Sequence, residues 1–317
     1  MKKILAACIA VLAMTGSTVA QNYPTKPVTI VVPFTPGNSV DILGRFLAEG
    51  LGKLWGTSVV VDNRAGAGSA VGTAHVAQAA ADGYTLLFTA SSYAITPAIR
   101  DDLPFDAEKD LVPVGMVGDS QYVLIVGSNV KARTLAELKD EAKTREMFLA
   151  TSGIGTGTHF AGELFRSATG LDLKLVHYKS GADSAIDMIG GRADVAVNSL
   201  PTVLPNLEGG KLHAIAAMGK DRIASLPDVP TFAEQGVDIP MSGLWWGTFT
   251  PAGTPDAIVQ QLNADMAKVM ATDEAKAFMA KQQATVRSPS QPEFAEIVKN
   301  ELVQWKTLAK ENNIKAE

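Results

Sequence analysis

Cysteine is almost missing from this 317-residue chain, whose one example is Cys8. Cys8 lies in a segment that reads as removable, so the rest of the chain can form no disulfide. It also has no thiol nucleophile and no thiolate metal ligand. Histidine is scarce. His75, His159, His177 and His213 show neither paired metal-ligand spacing nor an H-E-x-x-H run, so no metal and no other cofactor is expected. No G-x-S-x-G turn presents a hydrolytic serine, and no nucleophile-base pair is apparent, so the chain is not expected to be an enzyme. An excess of basic charge is missing too. Without residues 1–20, 26 basic residues face 33 acidic ones, a net of −7. With no basic patch and few aromatics, nucleic acid is excluded as a partner.

The first twenty residues read as a secretory signal peptide. Lys2-Lys3 is a basic start, Ile4 to Met14 an apolar core too short to span a membrane, and Thr18-Val19-Ala20 a small-residue cleavage pattern. The remaining chain is long enough for two domains held together by packing alone.

Strand-like and helix-like stretches alternate from Val28 onward. Strands are expected at Val28–Val32, Ser58–Val61, Tyr84–Thr89, Tyr122–Val126, Phe148–Thr151, Leu173–Tyr178, Val195–Val197, His213–Met218 and Trp245–Thr250. Capping boxes at Thr134…Glu137, Thr231…Glu234 and Ser290…Glu293 mark helix starts, as does an N-cap at Thr254-Pro255. A long amphipathic helix at the end, with Phe294, Leu302 and Trp305 on one face, reads as packing. The expectation is an α/β fold of two mostly parallel sheets flanked by helices.

The most telling segment is Val28 to Asp41. A β-branched strand stops at Pro33, turns through Pro36-Gly37-Asn38-Ser39 and opens a helix with Val40, Leu43, Leu47 and Leu51 on one face. Backbone N–H groups at such a helix start lack partners and attract an anion. No Lys or Arg lies between Val28 and Asp41, so the donors would be backbone and hydroxyl groups. Asp41, in the first turn, is expected to pin the loop.

Polar, glycine-rich strand ends recur in two groups. One comprises Pro36–Ser39, Gly66-Ala67-Gly68 and Ser91-Ser92; the other comprises Ser152-Gly153 with Gly155, Thr156 and Thr158, then Ser180-Gly181 and Asn198-Ser199. Two sheets facing each other would bring the groups together across a cleft, the usual place for a ligand of open α/β sheets. His159 either donates to that ligand or caps its own helix.

These residues resemble one family along the whole length beyond residue 20. Val32-Pro33-Phe34-Thr35-Pro36-Gly37 with Asp41, Asn63-Arg64-Ala65-Gly66-Ala67-Gly68, Asp82-Gly83-Tyr84-Thr85, His159-Phe160-Ala161-Gly162-Glu163, Tyr178-Lys179-Ser180-Gly181, Leu226-Pro227-Asp228-Val229-Pro230-Thr231 and Pro251-Ala252-Gly253-Thr254-Pro255 are similar to the substrate-binding (Bug) proteins of tripartite tricarboxylate transporters. The resemblance implies a two-lobed periplasmic receptor closing on a small carboxylate, without catalysis. It implies residues 21–118 with 243–317 as one lobe, 119–242 as the other, and crossings near Val117–Gln121 and Met241–Leu244. A membrane translocator or a sensor protein would read the closed, monomeric form. Phe34 and Tyr178 join the ligand set by this resemblance. Asn38 stands where the family has a second glycine, and an Asn can adopt left-handed dihedrals there. Asn198 stands where relatives often have an acid. If either amide read the ligand, a neutral, amide-bearing or aromatic solute would be the alternative; a secreted enzyme acting on a small acid is the more distant one.

Overall fold

The computed structural model describes residues 23–239, 243–311 and 314–315; the expected signal peptide and the Met241 end of the second crossing lie outside them. The elements are β1 (Val28–Val32), α1 (Ser39–Trp55), β2 (Val59–Asn63), α2 (Ala70–Ala77), β3 (Thr85–Ala90), α3 (Ser92–Ile99) and β4 (Leu111–Ser120). After these come β5 (Tyr122–Val126), α4 (Leu135–Glu141), β6 (Met147–Thr151), α5 (Gly157–Thr169), β7 (Leu173–His177), α6 (Gly181–Ile189), β8 (Val195–Ser199), α7 (Leu200–Glu208) and β9 (His213–Ala217). The chain then forms β10 (Leu244–Pro251), α8 (Asp256–Met270), α9 (Asp273–Lys281), β11 (Thr285–Val286) and α10 (Gln291–Glu311).

Two sheets result, ordered β11-β4-β10-β3-β1-β2 and β7-β6-β8-β5-β9. Both are mixed rather than mostly parallel. Only β3-β1-β2 and β7-β6-β8 run parallel; β4, β10, β11, β5 and β9 pair antiparallel. The parallel trios come from strand–helix–strand crossovers. The antiparallel strands cluster where the chain leaves one sheet at Gln121 and re-enters it at Leu244, opposite Ser120.

Strand β4 is absent from the sequence expectation because Pro113, Gly115 and Gly118 interrupt its pattern. The interruptions have uses. Register shifts against β10 fall between Trp246 and Gly247 and between Thr248 and Phe249, and a Cβ on Gly118 would stand 2.4 Å from the Thr285 carbonyl oxygen of β11. Two helix starts differ as well. Thr231 and Glu234 exchange both bonds of a capping box but open only the 3₁₀ turn Ala233–Gln235. Thr254 does not cap α8; its hydroxyl donates to the Pro251 carbonyl and Pro255 takes the N-cap place.

All five residues of β5 are buried, because helices cover both faces of the second sheet. Val123 and Ile125 join a core with Ala196 and Val203. Tyr122, Leu124 and Val126 join a larger core that runs through Phe160 and Trp305 to Tyr93 and Phe249 of the first sheet. Helix α10 bridges the two units: it packs on α3 and β4, and its Trp305 meets Phe160 of α5 edge-on at 5.5 Å.

Candidate functional site

Loops at the carboxyl ends of β1, β2 and β3 form one side of the candidate site. Asn38 is the N-cap of α1, with φ −82° rather than a left-handed value. Its side chain accepts from Asp41 N–H at 3.0 Å and donates to the Thr35 carbonyl at 2.9 Å. That amide is engaged by its own loop. The left-handed residue is Gly37, φ +87°, whose N–H donates to Asp41 Oδ2 at 2.8 Å.

Asp41 is buried, and it also accepts from Asn63 Nδ2 at 2.9 Å and Arg45 Nε at 3.1 Å. Burial alone would raise its carboxyl; these hydrogen bonds and the Arg45 charge outweigh burial and hold it below the ordinary value. So Gly37 N–H, expected to face an anion, is taken by the loop's own carboxylate. Asn38 and Ser39 N–H have no acceptor among the described residues. Arg45 and Asn63 are absent from the sequence expectation, although Arg45 follows Asp41 at the i+4 spacing of helical ion pairs. Phe34 is half-buried against the α1 core, and its carbonyl accepts from Asn63; Pro36 is exposed.

The second loop carries four consecutive positive φ values, at Gly66, Ala67, Gly68 and Ser69 (145°, 48°, 66° and 93°). Two of these residues are not glycine, and such strain collects at ligand loops. Ala67 and Gly68 are exposed, and the Gly68 carbonyl accepts from Thr96 of α3 at 2.8 Å. Ser91 N–H donates to the Trp245 carbonyl at 3.1 Å. Ser92 Oγ is buried with no partner among the described residues.

The opposing loops follow β6, β7 and β8. Thr156 caps α5, accepting from His159 N–H and donating to the Gly153 carbonyl at 2.7 Å. Thr158 Oγ1 accepts Ser152 N–H at 2.9 Å. His159 is buried, and its Nδ1 accepts Gly155 N–H at 3.1 Å. That bond requires an unprotonated Nδ1. Burial, with His177 and Arg166 adding positive charge nearby, lowers the imidazole to about 4. His159 is thus neutral at pH 7 and fastens the loop.

Tyr178 N–H bonds the Thr151 carbonyl, and its phenol donates to Asp187 at 3.0 Å. Ser180 caps α6 against Asp183. Ser152, Gly181 and Asn198 meet: a Cβ on Gly181 would lie 2.7 Å from Asn198 Oδ1 and 3.1 Å from Ser152 Oγ. Asn198 is 2% exposed. Its amide donates to the Gly181 carbonyl and accepts Ser199 N–H at 2.9 Å, while Ser199 Oγ pairs with Thr202.

The two sides touch. A Cβ on Gly155 would stand 2.5 Å from Ile99 Cδ1 of α3, and one on Gly157 3.8 Å from Ile95 Cδ1. A groove of about 860 Å³ opens elsewhere along the crossing, walled by Ser120, Gln121, Lys220, Leu244, Thr285 and Glu301 among others. None of the expected ligand residues lines it. What the loops offer together is the starts of α1, α5 and α6, ringed by uncharged donors.

The family model for tripartite tricarboxylate transporter family receptors matches residues 43–314. The chain is 33% identical to BugT of Bordetella pertussis, covering 97% of this chain and 95% of that one. Among solved structures, the periplasmic binding protein BugD is similar at a TM-score of 0.80 and 30% identity, over 93% of this chain and 100% of BugD. Rpa4515 of R. palustris, solved with adipate, gives 0.81 and 30%, over 92% and 99% of the two chains. MatC of Rhodopseudomonas palustris, solved with malate, gives 0.78 and 26%, over 90% and 99%. The chain belongs to the tripartite tricarboxylate transporter receptor family, solute-binding proteins of the Bug type.

Proposed function

We propose that this receptor captures a small carboxylate in the periplasm, between the loops following β1, β2 and β3 and those following β6, β7 and β8. In this reading residues 21–118 with 243–317 form one lobe and 119–242 the other, and the chain acts as a monomer without catalysing a reaction. The closed form is read by a membrane translocator.

The observation that carries this reading is the junction of three helix starts whose free donors bear no charge. Asn38 and Ser39 N–H supply one side. Ser152 Oγ, beside Gly181 and Asn198, supplies the other. Burial on closure excludes water and strengthens each donor contact to an anion. The adipate and malate seen in similar structures support a carboxylate. A solute read by amides is less favoured, because the Asn38 and Asn198 side chains are engaged by their own loops.

Thermal-shift screening of mono-, di- and tricarboxylates against amides, neutral amino acids and aromatics tests the reading. A carboxylate at a hundred times its dissociation constant adds about 2.7 kcal/mol, a rise of roughly 5 °C or more. Shifts confined to amides or neutral aromatics would refute it.

A further inference from the structure

Glu301, in the middle of α10, has no part in the site above. Its Oε2 accepts two indole N–H groups, Trp245 Nε1 at 2.9 Å and Trp305 Nε1 at 3.3 Å. Both indoles lead to ligand loops. Trp245 is the second residue of β10, and its carbonyl holds the N–H of Ser91, in the turn between β3 and α3. Trp305 lies edge-on to Phe160 in α5, three residues after the Gly157 start of that helix. One carboxyl therefore ties β10 to α10, beside the point where the chain crosses between the sheets, and the Trp305 ring carries that tie on to Phe160 of the second unit.

The surroundings of Glu301 come from every neighbouring element. From β5, Tyr122 is buried close enough for the two to interact electrostatically. From β4, Asp119 faces the shared groove but is bound to Arg287 at 2.8 Å. Lys220, Asp221 and Arg222 line the same groove, Arg222 being paired with Glu234. Ile297 lines the groove one turn earlier on α10. No cation forms an ion pair with Glu301 among the described residues, and two neutral donors are its support.

We infer that Glu301 is a positioning residue of the clamp, a protonatable tie that favours the closed arrangement when neutral. The inference rests on the two-lobed reading but not on the identity of the solute. In the observed arrangement, where Gly155 lies against Ile99, burial raises this carboxyl to about 7 against the pull of the two indoles. Separating the sheets would withdraw Phe160 from Trp305 and Tyr122 from the carboxyl, which already borders the groove, and the wider access of water would return it toward an ordinary 4.5. Closure then takes up a proton. By linkage the closed-to-open ratio is about tenfold higher at pH 6 than at pH 8.

Spin labels on Val60→Cys in β2 and Ile186→Cys in α6, 51% and 61% exposed, report the separation of the units in solute-free protein. The expected result is a shorter distance population that grows as pH falls from 8 to 6. Glu301→Gln keeps an acceptor for both indoles but cannot ionise, so it should hold that population constant across the range. Tryptophan emission titrated over the same range should show a midpoint near 7 that the Gln variant lacks. A pH response that survives in Glu301→Gln, or one of opposite sign, overturns the inference. If adding adipate shortens the distance while pH does not, the clamp reading stands and the role of Glu301 falls. If neither pH nor any carboxylate of the thermal-shift panel changes it, both fall.

Discussion

Gly157, the first residue of α5, tests how closely the site is built. A Cβ there would stand 2.1 Å from Tyr122 Oη and 3.1 Å from its Cζ. Its φ is not left-handed, so alanine meets no backbone strain and the whole cost is steric. Tyr122 is fully buried in the core and its ring cannot swing away. Overpacking of this kind costs about 1–3 kcal/mol, less a few tenths returned by the better helix propensity of alanine. Gly157→Ala should therefore lose about 1–2 kcal/mol, seen as a lower urea midpoint. Tyr122→Phe removes the atom in the way. The remaining 3.1 Å contact then asks for a shift of only a few tenths of an ångström. In the double variant the alanine should cost at least 1 kcal/mol less than it does alone. Equal cost in both backgrounds, within about 0.5 kcal/mol, would refute the packing argument.

Asp41→Asn should lower stability by about 2 kcal/mol, since hydrogen bonds to a charged group carry about 1.5–3 kcal/mol and the 53% exposed Arg45 regains water; calorimetry showing an unchanged melting temperature would contradict the latch. His159 is held low in the folded protein, so its contribution is complete above pH 6.5 and is lost as pH falls from 6.5 toward 4. Denaturation curves of wild type and His159→Gln at pH 7 and 4.5 should show a smaller acid loss in the variant, and parallel losses would remove His159 from the account. Asn38→Gly should cost only a few tenths of a kcal/mol as an N-cap change and leave isothermal titration with a carboxylate unaffected. Abolished binding would mean that the amide itself reads the solute.

The strand–turn–helix at Val28–Asp41 was legible because β-branched residues, a Pro–Gly turn and a 3.6-residue apolar period follow one another without conflict. The pinning role of Asp41 was legible for the same reason, a carboxylate in a first helical turn. Strand β4 was not, because its glycines make room for Asn263, Met266 and the Thr285 carbonyl rather than follow strand propensity. The mixed sheet order was hidden because adjacent strands come from distant parts of the chain. Among the site residues, loop position could be read but not occupancy. Thr156, Thr158, Asn38 and Asn198 carry the donors a ligand would want, yet their partners are contacts within and between loops that no local pattern reports. Glu301 belongs to no local pattern, since only the fold brings Trp245 beside Trp305.

The bond between Gly37 N–H and Asp41 means that the first loop takes its shape without help from a solute. In the proposed reading an arriving acid would find its docking turn already folded, so little ordering entropy would be charged against affinity there. It also makes that turn a poor judge: any small acid meets the same two amides. On that proposal, discrimination among acids would fall to the facing cluster of Ser152, Gly181 and Asn198, where exchange of a single side chain should retune the preferred solute while leaving the capacity to hold an acid intact.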